Sequence, residues 1–180
     1  MARPRSSGAG RIIHCYYRPL RHKGGYTVAN YGDILDAIAE VVPGDRPAFI
    51  HGDYVISWAE ATARSNRLAH NMLANGANPG DKIAFYMRNR PEYGEGLVAA
   101  FKARLTHVNV NYRYIENELL YLLDNADATV CIFSGEFVGQ VEQIRAQLPK
   151  VKQWIQIDDG YPELDGALGY EALATEGDDS

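Results

Sequence analysis

In this chain of 180 residues, the residues able to do chemistry fall into a few small groups. His107, Asn109 and Asn111 alternate with Thr106, Val108 and Val110 and run on to Arg113. Strand alternation puts the imidazole and both amides on one face. A polar row near a strand end can face a cleft, or it can pack beneath a helix or loop. Arg113, between Tyr112 and Tyr114, could bind an anion or stack on a tyrosine ring. His107, Asn109, Asn111 and Arg113 are therefore the candidates for approaching a cleft.

The other groups read as structural. Gly94-Glu-Gly96-Leu-Val-Ala99 spells G-x-G-x-x-A, which brings backbone amides to a pyrophosphate when it joins a strand to a helix. Here it follows Pro91, a residue suited to a first helical turn, so helical hydrogen bonds should already use those amides. Ser6-Ser-Gly-Ala-Gly10 matches a phosphate loop in composition alone. His14, His22, His51, His70 and His107 form no HExxH or HxxxH pair and have no cysteine at ligand spacing. His51 in a turn and His70 on the polar side of a helix should be solvated. Glu92 with Glu95 suits a helix start. Asp158/Asp159 and Asp178/Asp179 belong to acidic loops, and none of these pairs suggests a sheltered acid–base site. No catalytic residue and no metal ligand is assigned.

Alternating elements must position these groups. Ile34, Leu35, Ile38, Val41 and Val42 have helical spacing that stops at Pro43-Gly44. Ala48–Ile50 and Tyr54–Ile56 flank His51-Gly-Asp53 as a hairpin. Ser57 with Glu60 forms a capping box for a helix carrying Trp58, Ala61, Leu68, Met72 and Leu73 on one face and stopping at Gly76. Ile83–Met87 reads as a buried strand, and a helix from Pro91 lines Tyr93, Leu97, Ala100 and Phe101 along one side. After the His107 strand come a helical stripe of Ile115, Leu119, Leu122 and Leu123 and a strand at Ala128–Phe133. Ser134 then caps a helix with Phe137, Val141, Ile144 and Leu148 inward, and Trp154–Ile157 is a last strand. The stretch 158–180 reads mostly as loop, with one short helix at Tyr170–Ala174. Repeated strand–helix–strand units predict an α/β fold, a mostly parallel sheet with flanking helices.

Composition narrows the function classes. An apolar fraction of 46% and a charged fraction of 23% describe a soluble globular protein, and no apolar run approaches the roughly 20 residues of a transmembrane helix. Residues 1–25 hold six basic residues and no acid; the remainder has 12 basic against 23 acidic residues, a balance that argues against a nucleic-acid partner. That leader reads as a disordered basic extension, such as translation from an upstream start would add; an organelle transit peptide and a nucleic-acid or membrane arm are its other readings. Cys131, inside the apolar run 129–133, reads as a buried thiol, and a reducing cytoplasm is the default compartment.

Several segments in register resemble the acyl-adenylate-forming family, especially fatty-acid and related acyl-CoA synthetases. They are Ser57-Trp58 with Ser65–Ala69, Gly76 with Pro79–Ile83, Met87-Arg-Asn-Arg-Pro-Glu92, Ala100–Ala103 through Val110–Arg113, and Glu118–Leu122 with Asp124 and Ala126. The resemblance spans about residues 26–158 and departs from the family pattern at Arg104-Leu-Thr106, where a small Gly-Ala pair is usual, and at Tyr112, where proline is usual. It implies that residues 26–180 form an incomplete N-terminal subdomain of the adenylate-forming fold. By that resemblance the parent joins a carboxylic acid, fatty or related, to AMP with ATP and Mg2+, and then passes the acyl group to coenzyme A. The family's phosphate loop, adenine-binding aromatic motif, ribose-binding aspartate and C-terminal lysine are absent from the sequence, so the chain itself is expected to be inactive. The partners implied are a small-molecule carboxylic acid, ATP and CoA, with either a second copy or a missing C-terminal portion. Peripheral membrane association would follow if the acid is lipidic. A stand-alone α/β binding or interaction module is the alternative, and a Rossmann-type dehydrogenase a weaker third reading.

Overall fold

The computed structural model describes residues 29–180; the basic leader, Cys15, His14, His22 and the Ser6–Gly10 stretch lie outside the described residues. In chain order the elements begin with α1 (Tyr31–Val41), the strands β1 (Pro47–His51) and β2 (Tyr54–Ser57), and α2 (Trp58–Ala74). Next come β3 (Lys82–Tyr86), α3 (Pro91–Lys102), β4 (Thr106–Asn109), α4 (Glu116–Asn125) and β5 (Ala128–Ser134). Finally, α5 (Val138–Ile144), β6 (Gln153–Ile157), β7 (Leu168–Gly169) and α6 (Tyr170–Thr175) complete the order. β1 and β2 form an antiparallel hairpin turned at Gly52. The other five strands make one parallel sheet in the order β4-β3-β5-β6-β7.

β3 and β5 are buried almost throughout because both faces of the sheet are covered. Ile83, Phe85, Val130, Ile132, Ile155 and Ile157 meet α2, α3 and α6, whereas Ala84, Tyr86, Cys131 and Phe133 meet α4 and α5. Burial pushes the Cys131 thiol far up, so it stays protonated as a small hydrophobe. Gly94 and Gly96 lie inside α3, as expected. A Cβ on Gly96 would come within 2.8 Å of the Phe85 ring, and one on Gly94 within 2.7 Å of the Phe49 ring. The G-x-G-x-x-A match therefore serves ring packing against a helix. No helix among the described residues is long and apolar enough to cross a membrane.

Several local expectations need correction. The buried face of α3 is Glu95, Gly96, Ala99 and Ala100, while Tyr93, Leu97 and Phe101 are half-buried flanks. Arg104 takes φ 59°, the left-handed conformation that glycine adopts freely, which explains why a small residue is usual at this position. Its guanidinium then donates to Asp33 at 2.9 Å, tying α3 to the start of α1. His70 is half-buried, with Nδ1 3.0 Å from the Asp178 carbonyl, and is not freely solvated. Part of the reason is that residues 170–180 lie along the polar side of α2. Asn71 donates to the carbonyls of Leu173 and Glu176 at 2.8 and 3.0 Å, and Arg67 pairs with Asp179.

Glu95 departs furthest from expectation. It is 1% exposed and receives Arg64 Nε at 2.8 Å and Nη2 at 3.2 Å. The same guanidinium donates to Glu171 at 2.7 and 2.9 Å, and Tyr170 donates its hydroxyl to Glu95 at 3.2 Å. α2, α3 and α6 thus share one buried arginine. Arg64→Ala leaves Glu95 buried and uncompensated, and is expected to lower stability by about 3–5 kcal/mol in urea denaturation. The pH response separates the two acids. Hydrogen bonding to Arg64 holds the Glu171 carboxyl below its usual range; that contribution is present above the unfolded pKa and lost as pH falls through the folded value. Burial raises Glu95 despite Arg64, so its own contribution is present in acid and lost as pH rises through the raised value. Glu171→Gln should therefore lower stability near neutrality and flatten its acid loss between about pH 5 and 3.

Candidate functional site: the switch-point groove

Sheet order locates the site. From β3 the chain crosses by α3 to β4 on one side, and from β5 it crosses by α5 to β6 on the other. β3 and β5 are neighbours, so the direction of winding reverses between them. Open parallel sheets bind ligands outside the carboxyl ends of the strands at such a reversal. At this point the structure has a groove of about 510 Å3. Arg88, Asn89, Arg90 and Glu92 reach it from beyond β3, Ser134 and Glu136 from the end of β5, and His51 and Tyr54 from the hairpin.

Charge in the groove is internally paired. Arg90 donates to Glu92 at 2.8 and 2.9 Å and to Asp159 at 2.8 Å. Burial pushes the Glu92 carboxyl up, but the Arg90 hydrogen bond prevails and the net shift is downward. Arg88 Nε lies 3.0 and 3.1 Å from the two Glu136 oxygens. Ser134 was expected to cap the next helix; it stands at the N-cap position but makes no cap bond, its buried hydroxyl having no hydrogen-bond partner among the described residues, while Asp159 accepts from the Gly135 amide at 3.1 Å with both oxygens. An orphaned hydroxyl lining a groove is a polar group available to a ligand or water.

The four candidates from the sequence divide into two pairs. His107 points toward α3, with Nε2 2.8 Å from the Tyr93 hydroxyl and its ring 5.2 Å from that of Phe85. Burial lowers its pKa and favours the neutral imidazole. Tyr93 also donates to Asn109 at 3.3 Å. Asn111 lies beyond β4, in a turn where its Oδ1 accepts from the Arg113 amide at 3.0 Å. The Arg113 guanidinium sits 5.4 Å from the Tyr112 ring centroid and that of Arg88 4.5 Å from the same ring. Tyr112, at the departure from the usual proline, thus links the groove to the end of β4.

Sequence reading gave Ser134 as a helix cap, Asp159 as part of an acidic loop pair and Arg88 and Arg90 only as part of a family-like segment, none of them as a site residue. Their signal was a polar cluster directly after an apolar strand, legible only once β3 and β5 are known to be neighbours. Among the described residues no cluster of three or more His, Cys, Asp or Glu could hold a metal ion. A Cβ on Gly135 would collide with Asp159 Oδ1 and come within 2.6 Å of Tyr161 Cβ. Gly135→Ala is expected to lower stability by about 1–3 kcal/mol, as is Asp159→Ala. Combined, they should cost less than their sum, because both break one contact. Thermal unfolding of the single and double variants measures this.

The family model for AMP-binding enzymes matches residues 35–177. Over 147 residues the chain is 36% identical to the 3-oxocholest-4-en-26-oate--CoA ligase of Rhodococcus rhodochrous, covering 79% of this chain and 26% of that protein. It is 37% identical to the medium-chain acyl-CoA ligase Mig of Mycobacterium avium, covering 79% of this chain and 28% of that one. Among solved structures, a fatty acyl CoA synthetase of Mycobacterium tuberculosis superposes with a TM-score of 0.65 at 28% identity, over 71% of this chain and 26% of that chain. An anthranilate CoA ligase shares the fold with a TM-score of 0.74 at 21% identity, over 81% of this chain and 28% of that chain. The chain spans about a quarter of the length of the curated relatives it matches. The parallel sheet, its switch-point groove and the match across most of its length together place this chain in the AMP-binding enzyme family.

Proposed function

We propose that this chain forms the N-terminal part of an AMP-forming acid–CoA ligase and supplies one wall of its cleft. In that reaction a carboxylate oxygen attacks the α-phosphorus of ATP and pyrophosphate leaves. The CoA thiol, losing its proton, then attacks the acyl carbon and releases AMP. The acid is a fatty acid or a sterol side-chain acid, the substrate types named for the relatives. The observation carrying this reading is the family match over residues 35–177 on a sheet whose reversal point opens into a polar groove.

This chain would bind and orient more than it reacts. Arg113 has no carboxylate partner among the described residues and, beside Tyr112, offers a cation next to an aromatic face, a combination suited to a phosphate and a base. Asn111 fixes the turn that presents Arg113. His107 and Asn109, joined through Tyr93, hold the end of β4 against α3. Mg2+ would serve adenylation by neutralising and placing the ATP phosphates; among the described residues no group of three or more His, Cys, Asp or Glu could hold a metal ion. In this reading adenylation draws on the further length that the relatives carry outside the matched segment.

A graft tests the reading: residues 35–177 replace the matched quarter of the Rhodococcus rhodochrous ligase. The graft should form CoA thioesters, and Arg113→Ala should raise its KM for CoA about tenfold with little change in kcat, as loss of a ground-state contact does. The 180-residue chain alone should support no ATP–pyrophosphate exchange. A soluble graft without adenylation, or exchange by the chain alone, overturns the proposal.

A further inference from the structure

Four large apolar residues take no part in either apolar cluster that covers the sheet. Leu35 on α1, Phe49 on β1, Trp58 on α2 and Val98 on α3 are half-buried and belong to neither. They meet instead around a separate chamber of about 140 Å3. That is close to the volume of an engineered apolar cavity, about 150 Å3, that stays dry and accepts benzene. The chamber shares no lining residue with the groove at the carboxyl edge of the sheet.

A void of this size forfeits the dispersion contacts that a filled core would make, so packing normally closes it. Here the walls are held apart. The Phe49 ring is seated on α3 at Gly94, where an added Cβ would come within 2.7 Å of it. α1 is fixed to α3 at three points. A Cβ on Gly32 would lie 2.7 Å from the Phe101 carbonyl, Lys102 Nζ is 2.6 Å from Asp36, and Arg104 donates to Asp33 at 2.9 Å. Leu35 stands between Asp33 and Asp36, so it cannot move into the chamber without breaking those ion pairs.

The lining also decides the charge of what fits. Lys102 is its one charged residue among those described, and its ammonium is already held by Asp36 and by Asn66 Oδ1, each at 2.6 Å. Ser65 gives its hydroxyl to the Thr62 carbonyl at 3.0 Å, and Thr62 adds only a neutral hydroxyl. A carboxylate entering the chamber would lose its hydration and find no free cation, a costly transfer. An uncharged ring would lose nothing of the kind, and the Phe49 and Trp58 rings offer it stacked or edge-on contacts. We infer that this chamber is a binding site for one small, uncharged, benzene-sized ring molecule, separate from the groove and independent of the ligase reading.

The test is NMR titration of the 180-residue chain with benzene, and with benzoate as a ring of like size that carries a charge. Benzene should bind saturably, shift the Trp58 indole signal and give NOEs to the methyls of Leu35 and Val98. Near its solubility limit it should raise Tm by about 3 °C. Benzoate should bind more weakly by about tenfold or more. Ala61→Leu, which fills the chamber, should abolish benzene binding. Val98→Ala, which enlarges it, should move the preference from benzene toward p-xylene, and it keeps the inference testable if the leucine variant fails to fold. Absence of saturable benzene binding overturns the inference, as do NOEs placed elsewhere on the chain. Benzoate binding as tightly as benzene, benzene binding that survives in a folded Ala61→Leu variant, or a Val98→Ala variant with unchanged preference overturns it too.

Discussion

The fold depends most on one guanidinium shared by two carboxylates. Arg64 projects from the inward side of α2, 6% exposed, and the chain around it has to answer its charge. Glu95 does so from α3 and Glu171 from α6, each through two hydrogen bonds. A buried ion pair adds little over a well-packed apolar replacement, but it penalises every arrangement in which one partner is missing. Its effect is therefore to fix the relative placement of three helices. α6 is only six residues long, too short to be stable by itself, and is held by this contact together with the polar face of α2.

A second constraint of the same kind operates at the carboxyl edge of the sheet. Asp159, just past β6, accepts from the Gly135 amide past β5 and from Arg90 past β3. Three strand ends are thereby joined around the point where the winding reverses. That leaves the groove with paired charges and an orphaned Ser134 hydroxyl, a rigid polar wall rather than a reactive centre. A wall of this kind fits the role proposed for the chain, binding and orienting more than reacting.

The sequence made the alternation of elements legible because both faces of the sheet are covered and its central strands β3 and β5 are nearly all apolar. The G-x-G-x-x-A segment was readable as packing because Pro91 already marked the helix start. The Arg64 contact had a signal that went unused: Ala61, Arg64, Ser65 and Leu68 share one helical side, so a charge stood on the buried stripe. Which acid would meet it is a matter of tertiary distance, 31 and 107 residues away in sequence. Ser134 stands at the N-cap position but makes no side-chain cap bond, while an aspartate 24 residues on holds the first amide of that turn, Gly135. Periodicity on α1 gave the right helix, yet periodicity says which side chains share a face and not whether anything covers it. His107 and Arg113 looked like one row in sequence; the end of β4 at Asn109 separates them.

The central claim is that the carboxyl edge of this sheet is the substrate-facing wall of a CoA ligase. The most direct measurement is amide chemical-shift mapping of the 20.0 kDa chain during titration with coenzyme A. The account predicts weak saturable binding with shifts concentrated at residues 88–90, 111–113 and 134–136 and sparing α1. Absence of shifts at that edge, or shifts confined to the face of α1 and the hairpin, would contradict it.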